Sequence, residues 1–117
     1  MQQNTTAQPY INEISEKVLQ AAKDTLGEKL DRVILYGSYA RGDYDHESDI
    51  DFIVIANVPH EEAGRWRDRI YDKIPCIDLD YDIMVSVKVT GSTVFNEYMD
   101  TLPYYMNIIK EGIVLNG

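Results

Sequence analysis

Cysteine is nearly absent from this 117-residue chain, where Cys76 is the only one. A single thiol excludes an intrachain disulfide framework, so a reducing, cytoplasmic setting is the simplest expectation. Cys76 lies in the stretch IPCIDL and is expected to be a small core side chain. Basic residues are scarce too. Eleven Lys and Arg stand against twenty Asp and Glu, a net charge of −9. Such a chain does not hold DNA or RNA by bulk electrostatics, which takes a basic face. A nucleotide at one local site, bridged by a metal ion, stays open. Long apolar runs are also missing. No stretch approaches the ~20 residues of a membrane helix, and MQQNTTAQPY lacks the positive end and apolar segment of a signal peptide. Internal repeats, low-complexity stretches and linkers are absent as well.

The remaining composition, 44% hydrophobic and 26% charged, is that of a globular protein. The length suits one domain with one core. Residues 1–9 read as a frayed tail and 10–117 as the domain. From Tyr10, the apolar positions Ile11, Ile14, Val18, Ala22 and Leu26 recur at helical steps, and Gly27 is placed to end the helix. Residues 32–36 form a β-branched run, predicted as a strand buried on both faces. A polar connection, 37–48, begins with a single helical turn near Ser38. Residues 49–56 are predicted as the second strand. Pro59 suits the first turn of a helix whose stripe is Ala63, Trp66, Ile70 and Ile74, reaching about Lys73 and stopped by Pro75. A long third strand is predicted over 77–89, broken by Thr90-Gly91-Ser92. A helical region over 93–110, interrupted at Pro103, is closed by Gly112, and 113–115 can form a small terminal strand. This order describes an α/β (α+β) fold, a small sheet with helices packed on it.

The chemistry concentrates in residues 35–54, LYGSYARGDYDHESDIDFIV. Gly37 permits a sharp turn after the first strand and a close backbone approach. Ser38 at the start of a helical turn offers a hydroxyl and unpaired backbone N–H groups, which suit phosphate. Alone, a Gly-Ser corner is a common turn. Asp49 and Asp51, two apart on a strand, share a face. That face continues as Ile53 and Ile55, so the carboxylates stand at the edge of a core, where uncompensated charge is costly. Hard oxygen ligands there suit Mg²⁺, with phosphates completing its coordination. On the third strand Asp78, Asp80 and Asp82 would share a face. Asp82, hard against Ile83-Met84-Val85, joins Asp49 and Asp51 if that strand neighbours the second. Asp80 is the fallback if the register slips, and Asp78 and Asp80 are otherwise an exposed strand beginning. Arg41 can pair with phosphate bidentately or bridge to a loop carboxylate. Asp43, Asp45 and Glu47 read as a solvated acidic loop, and His46 and His60 as exposed residues, His60 with a capping alternative.

Gly37-Ser38, ten residues, then Asp49-Ile50-Asp51 resembles the signature of the DNA-polymerase-β-like nucleotidyltransferases, specifically their minimal branch. The wider stretches Tyr36 to Asp43 and Ser48 to Asp51 look like that branch too. The resemblance implies the polymerase-β-like fold with a small mixed sheet. It implies that Gly37 and Ser38 hold the β- and γ-phosphates of a nucleoside triphosphate, ATP in this family. It implies two Mg²⁺ ions on Asp49 and Asp51. It assigns Asp82 as the third carboxylate, which holds the catalytic metal and helps deprotonate the acceptor.

Larger relatives carry an added acceptor-binding domain, and only 28 residues follow the third strand here. The acceptor is therefore expected on a partner. Minimal nucleotidyltransferases of this kind are similar to antitoxins that transfer AMP from ATP to a tyrosine of a HEPN-domain ribonuclease toxin. The expected activity is that of a Mg²⁺-dependent protein adenylyltransferase (AMPylation) in a toxin–antitoxin pair. Two alternatives remain: a partner protein that binds nucleotide and neutralises by contact, its interface including Pro103-Tyr104-Tyr105-Met106, or a transferase acting on a small molecule or RNA.

Overall fold

The computed structural model describes residues 7–116 except His46, whose expected exposure therefore lies outside the described residues, as does the expected tail over 1–6. The first helix, α1 (Ala7–Leu26), begins before Tyr10, so Ala7 to Pro9 are helical rather than frayed. Its buried stripe is Ile11, Ile14, Val18, Ala21 and Ala22, and Gly27, at φ +55°, ends it in a 3₁₀ turn. Strand β1 (Leu30–Tyr36) starts two residues earlier than the β-branched run suggests. A one-turn helix, α2 (Ser38–Arg41), follows, then strand β2 (Ile50–Ala56). Pro59 opens a 3₁₀ turn over His60–Glu62, and helix α3 (Ala63–Asp72) continues from it. His60 is exposed.

The third strand departs most from the sequence reading. Residues Ile77–Tyr81 form a short helix, α4, and strand β3 is confined to Val85–Gly91. An extended 77–82 would have to cover Leu79 along with Ile77, yet Leu79 is 81% exposed. The segment instead makes helical bonds, Asp80 N–H to Cys76 O and Ile83 N–H to Asp78 O. Asp78 turns its carboxylate to the Val85 N–H at 2.9 Å, fixing the strand's entry. Cys76 and Asp82 flank α4 in the left-handed region, at φ 65° and 54°. Cys76 is exposed, not a core residue, because its positive-φ turn carries it off the apolar side of α3 and α4.

The last helical region is split at Pro103 as expected, into α5 (Ser92–Tyr98) and α6 (Pro103–Glu111), and β4 (Ile113–Val114) ends the fold. The sheet is mixed, in the order β3-β2-β1-β4. β1 is antiparallel to β2 and β4, and β2 is parallel to β3. Alternation along the strands divides the core in two. Val33, Leu35, Ile50, Phe52, Val54, Val85 and Val87 face α1 and α3. Ile34, Ile53 and Ile55 face Phe95 of α5 and Ile108 of α6. β2, one of the two inner strands, is covered on both sides except near its start. No described helix is long and apolar enough to cross a membrane.

Candidate active site

The site forms where β1 ends and β2 begins, on the face covered by α5 and α6. Gly37 adopts φ 79°, ψ −155°, a region essentially closed to L side chains. It is required for a second reason: a Cβ there would stand 2.7 Å from Asp51 Oδ2. The Gly-Ser corner and the aspartate strand therefore touch through the missing side chain. Gly37 O accepts the N–H groups of Ala40 and Arg41, each at 3.1 Å, which starts α2 at Ser38. Gly42, left-handed at φ 87°, ends that turn.

The loop back to β2 is shaped by its polar residues. Asp45 Oδ1 accepts the Glu47 N–H at 2.9 Å and the Ser48 hydroxyl at 3.2 Å, while the Asp45 N–H donates to Ser48 Oγ at 3.0 Å. Tyr39 stacks on Tyr44 with centroids 4.2 Å apart, tying α2 to the loop. The Ile50 N–H donates to Met84 O at 2.9 Å and starts the pairing with β3. Asp49 is exposed just before β2, and Asp51 is half-buried within it. Burial pushes the Asp51 carboxyl up from its ordinary range, the Asp49 charge adds to the rise, and Lys88 pulls it partly back. Two like charges thus meet at a partly dry corner.

Two sequence-predicted residues are not on β3. Asp82 is exposed in the left-handed turn after α4, off the strand, because 77–81 is helical. Asp80 lines a hollow with Lys17, Gln20, Lys73 and Ile74 against α1, on the other side of the sheet from Asp51. Among the described residues no three His, Cys, Asp or Glu side chains converge as a metal-holding group. Arg41, exposed, pairs with Asp43 at 3.1 Å and Glu111 at 3.4 Å, and the Asp43 hydrogen bond raises its already high pKa.

Three residues on the same face, Tyr36, Ser86 and Lys88, drew no role from the sequence. Tyr36 pairs with Asp51 across the antiparallel ladder, and Ser86 pairs with it across the parallel one. The Tyr36 and Tyr104 hydroxyls are 2.8 Å apart, and Lys88 Nζ lies 5.2 Å from the Tyr104 ring centroid. Burial raises the Tyr36 phenol pKa, and the Tyr104 bond raises it further. A hollow of about 210 Å³ opens between the corner and α6, lined by Tyr36, Gly37, Arg41, Tyr104, Asn107 and Glu111 among others. The signal for these residues was the two-residue alternation, which puts Tyr36 and Lys88 on the carboxylate face once the strand order is known. A larger groove of about 340 Å³, under α1 and β4, sits on the opposite face and among the described residues offers only Glu16 as an acid.

A divalent cation fits this corner on the chemistry of its donors. Asp49 and Asp51 supply hard oxygens, and their mutual repulsion is what a cation would relieve. The hollow beside the corner, lined by Gly37 and Arg41 among others, is the space that a phosphate could enter.

A family model described as a nucleotidyltransferase domain matches residues 15–114, and the chain belongs to that polymerase-β-like family. Two Methanocaldococcus jannaschii proteins are similar over most of their length. "Putative protein adenylyltransferase MJ0141" is 38% identical over 96 residues, covering 80% of this chain and 95% of the relative. "Putative protein adenylyltransferase MJ0604" is 30% identical over 100 residues, covering 86% and 92%. Among solved structures, a toxin–antitoxin with AMP-PNP aligns with a TM-score of 0.53 at 19% identity, over 87% of this chain and 72% of the other. A mutant of the toxin–antitoxin MntA–HpeT aligns at 0.55, with the same identity and coverage. At that identity the likeness is one of fold, and it is the mixed-sheet fold described above.

Proposed function

We propose that this nucleotidyltransferase is a Mg²⁺-dependent protein adenylyltransferase, moving AMP from ATP to a tyrosine hydroxyl of a HEPN-type toxin and so acting as its antitoxin. The observation that supports it is the close approach of Gly37 to the Asp51 carboxylate, which puts the Gly-Ser corner beside the start of β2. The names of the M. jannaschii relatives support protein adenylyl transfer, and the AMP-PNP complex of a fold neighbour supports an adenine nucleotide.

In this reading the Gly37-Ser38 corner binds the terminal phosphates through backbone N–H and hydroxyl donors. Asp49 and Asp51 hold Mg²⁺, which when bound neutralises the triphosphate against a −9 chain. The acceptor oxygen forms a bond to the α-phosphorus, and the bond to pyrophosphate breaks in line, with no covalent enzyme intermediate. Arg41 reaches the phosphates only by leaving Asp43 and Glu111. The test is label transfer from [α-³²P]ATP to a co-purified HEPN partner in the presence of Mg²⁺. Label on a partner tyrosine is expected. An unlabelled partner in a stable complex would favour neutralisation by contact instead, a reading that the half-exposed Leu102, Tyr104 and Met106 around the start of α6 keep alive.

A further inference from the structure

Asp51 sits between two strands, and its in-register neighbours are Tyr36 on β1 and Ser86 on β3. Directly paired positions stand about 5 Å apart at Cβ, so they are where a strand can add a ligand to a cation held by Asp51. Two-metal sites keep their ions roughly 4 Å apart, and a carboxylate beside Asp51 is the hard oxygen donor that would hold the second ion. By alternation, the residues β3 and its approach present on this face are Met84, Ser86 and Lys88. None is an acid. The three acids upstream are placed otherwise. Asp78 accepts the Val85 N–H at 2.9 Å, Asp80 lines the hollow against α1, and Asp82 points from an exposed left-handed turn. Lys88 pairs with Ile53, two residues along β2 from Asp51 on the same face, and brings an ammonium to the side where a second dication would be repelled.

Resting on the adenylyl-transfer reading above, we propose that Ser86 occupies the acceptor-side ligand position of this site. The chain then holds one divalent cation with its nucleotide, not two. The acceptor hydroxyl meets a serine and an ammonium there instead of a carboxylate. Its oxygen bonds to the α-phosphorus, pyrophosphate leaves, and its proton passes to a general base that the acceptor protein brings.

The test counts Mn²⁺ by electron paramagnetic resonance on the full chain with a non-hydrolysable ATP analogue. Wild type should bind one ion, Ser86→Asp two, and Ser86→Asn, the size control, one. With a plain tyrosine peptide as acceptor, Ser86→Asp should transfer label about tenfold faster than wild type. Two ions on wild type overturn the inference and leave adenylyl transfer standing. One ion on a folded Ser86→Asp overturns the assignment of Ser86. No ion on wild type overturns both this inference and the cation-dependent reading of the site. Asp82→Asn guards the case in which Ser86→Asp does not fold. It should still bind one ion, and a loss would return Asp82 to the site and overturn the inference.

Discussion

On one face of β2, Phe52 and Val54 are fully covered between α1 and α3. On the other, Ile53 and Ile55 are covered by Phe95 and Ile108, but Asp51, one step nearer the strand's start, is only half-buried. The same strand therefore carries a closed core on one side and a core that runs out on the other. The candidate site sits where the cover from α5 and α6 ends. A carboxylate at that border keeps enough water to ionise, yet is dry enough for its charge to be costly without a partner. The larger core supplies the rigidity that makes such a border tolerable.

Truncation on the closed face gives the largest expected effect. Phe52→Ala removes a ring with no exposed surface and should cost about 3–5 kcal/mol, a large part of the stability of a small domain. Urea unfolding measures it. Asp51→Asn probes the open face and should separate the two regions cleanly. Label transfer should fall on the order of 10³-fold, as for other losses of transition-state electrostatics. Stability should move the other way. The Asp51 pKa is raised in the folded state above its ordinary 3.8, so the folded protein binds the proton more tightly than the unfolded chain. Stability is then lost as pH rises from 3.8 through the raised value, and above that window the charged form is a burden. The amide removes the burden. Solvent screening leaves a melting temperature about 1–2 °C above wild type at neutral pH, with a flatter acid limb. A variant that melts lower would mean that Asp51 supports the fold rather than straining it.

Much of this border could be read from the sequence. Gly37, Ser38, Asp49 and Asp51 are singled out by a glycine after a buried strand and by two-residue alternation, both local signals, while their phosphate and metal roles come from the resemblance to the nucleotidyltransferases. The helices α1 and α3 and the break at Pro103 follow from periodicity and punctuation. The third acid did not follow. IDLDYD alternates like a strand, but over six residues the pattern is equally a turn of helix, and local hydrogen bonding at Asp78 decided it. That one misreading displaced Asp82 from the sheet. The neighbours of Asp51, namely Tyr36, Ser86 and Lys88, needed the strand order and register, which are long-range facts. Cys76 was lost to the same turn, since its positive φ has no signature in a non-glycine residue.

Two glycines sharpen the contrast between shape and site. Gly37→Ala must accept a backbone region closed to alanine and a Cβ 2.7 Å from Asp51 Oδ2. It should cost about 1–3 kcal/mol and lower transfer roughly 10²-fold by displacing the carboxylate. Gly42→Ala is also left-handed, but its Cβ would meet nothing within 4 Å. It should cost about 1 kcal/mol with transfer nearly intact. Melting curves beside initial rates distinguish the two, and equal activity losses would remove the special status of the Gly37 corner.

The smallest expected effect lies on the cover itself. Tyr104→Phe deletes the 2.8 Å hydroxyl pair with Tyr36 but keeps the edge-to-face ring contact, whose centroids are 6.0 Å apart. The pair is half-exposed, so its loss should cost only about 0.5 kcal/mol. The Tyr36 phenol should titrate at lower pH in the variant, because the Tyr104 bond is the second cause of its raised pKa and burial, the first, is unchanged. Transfer should stay within about threefold of wild type, since Tyr104 hydrogen-bonds Tyr36 and not a carboxylate. A tenfold loss at unchanged melting temperature would instead move Tyr104 from the cover of the second core into the substrate-binding part of the site.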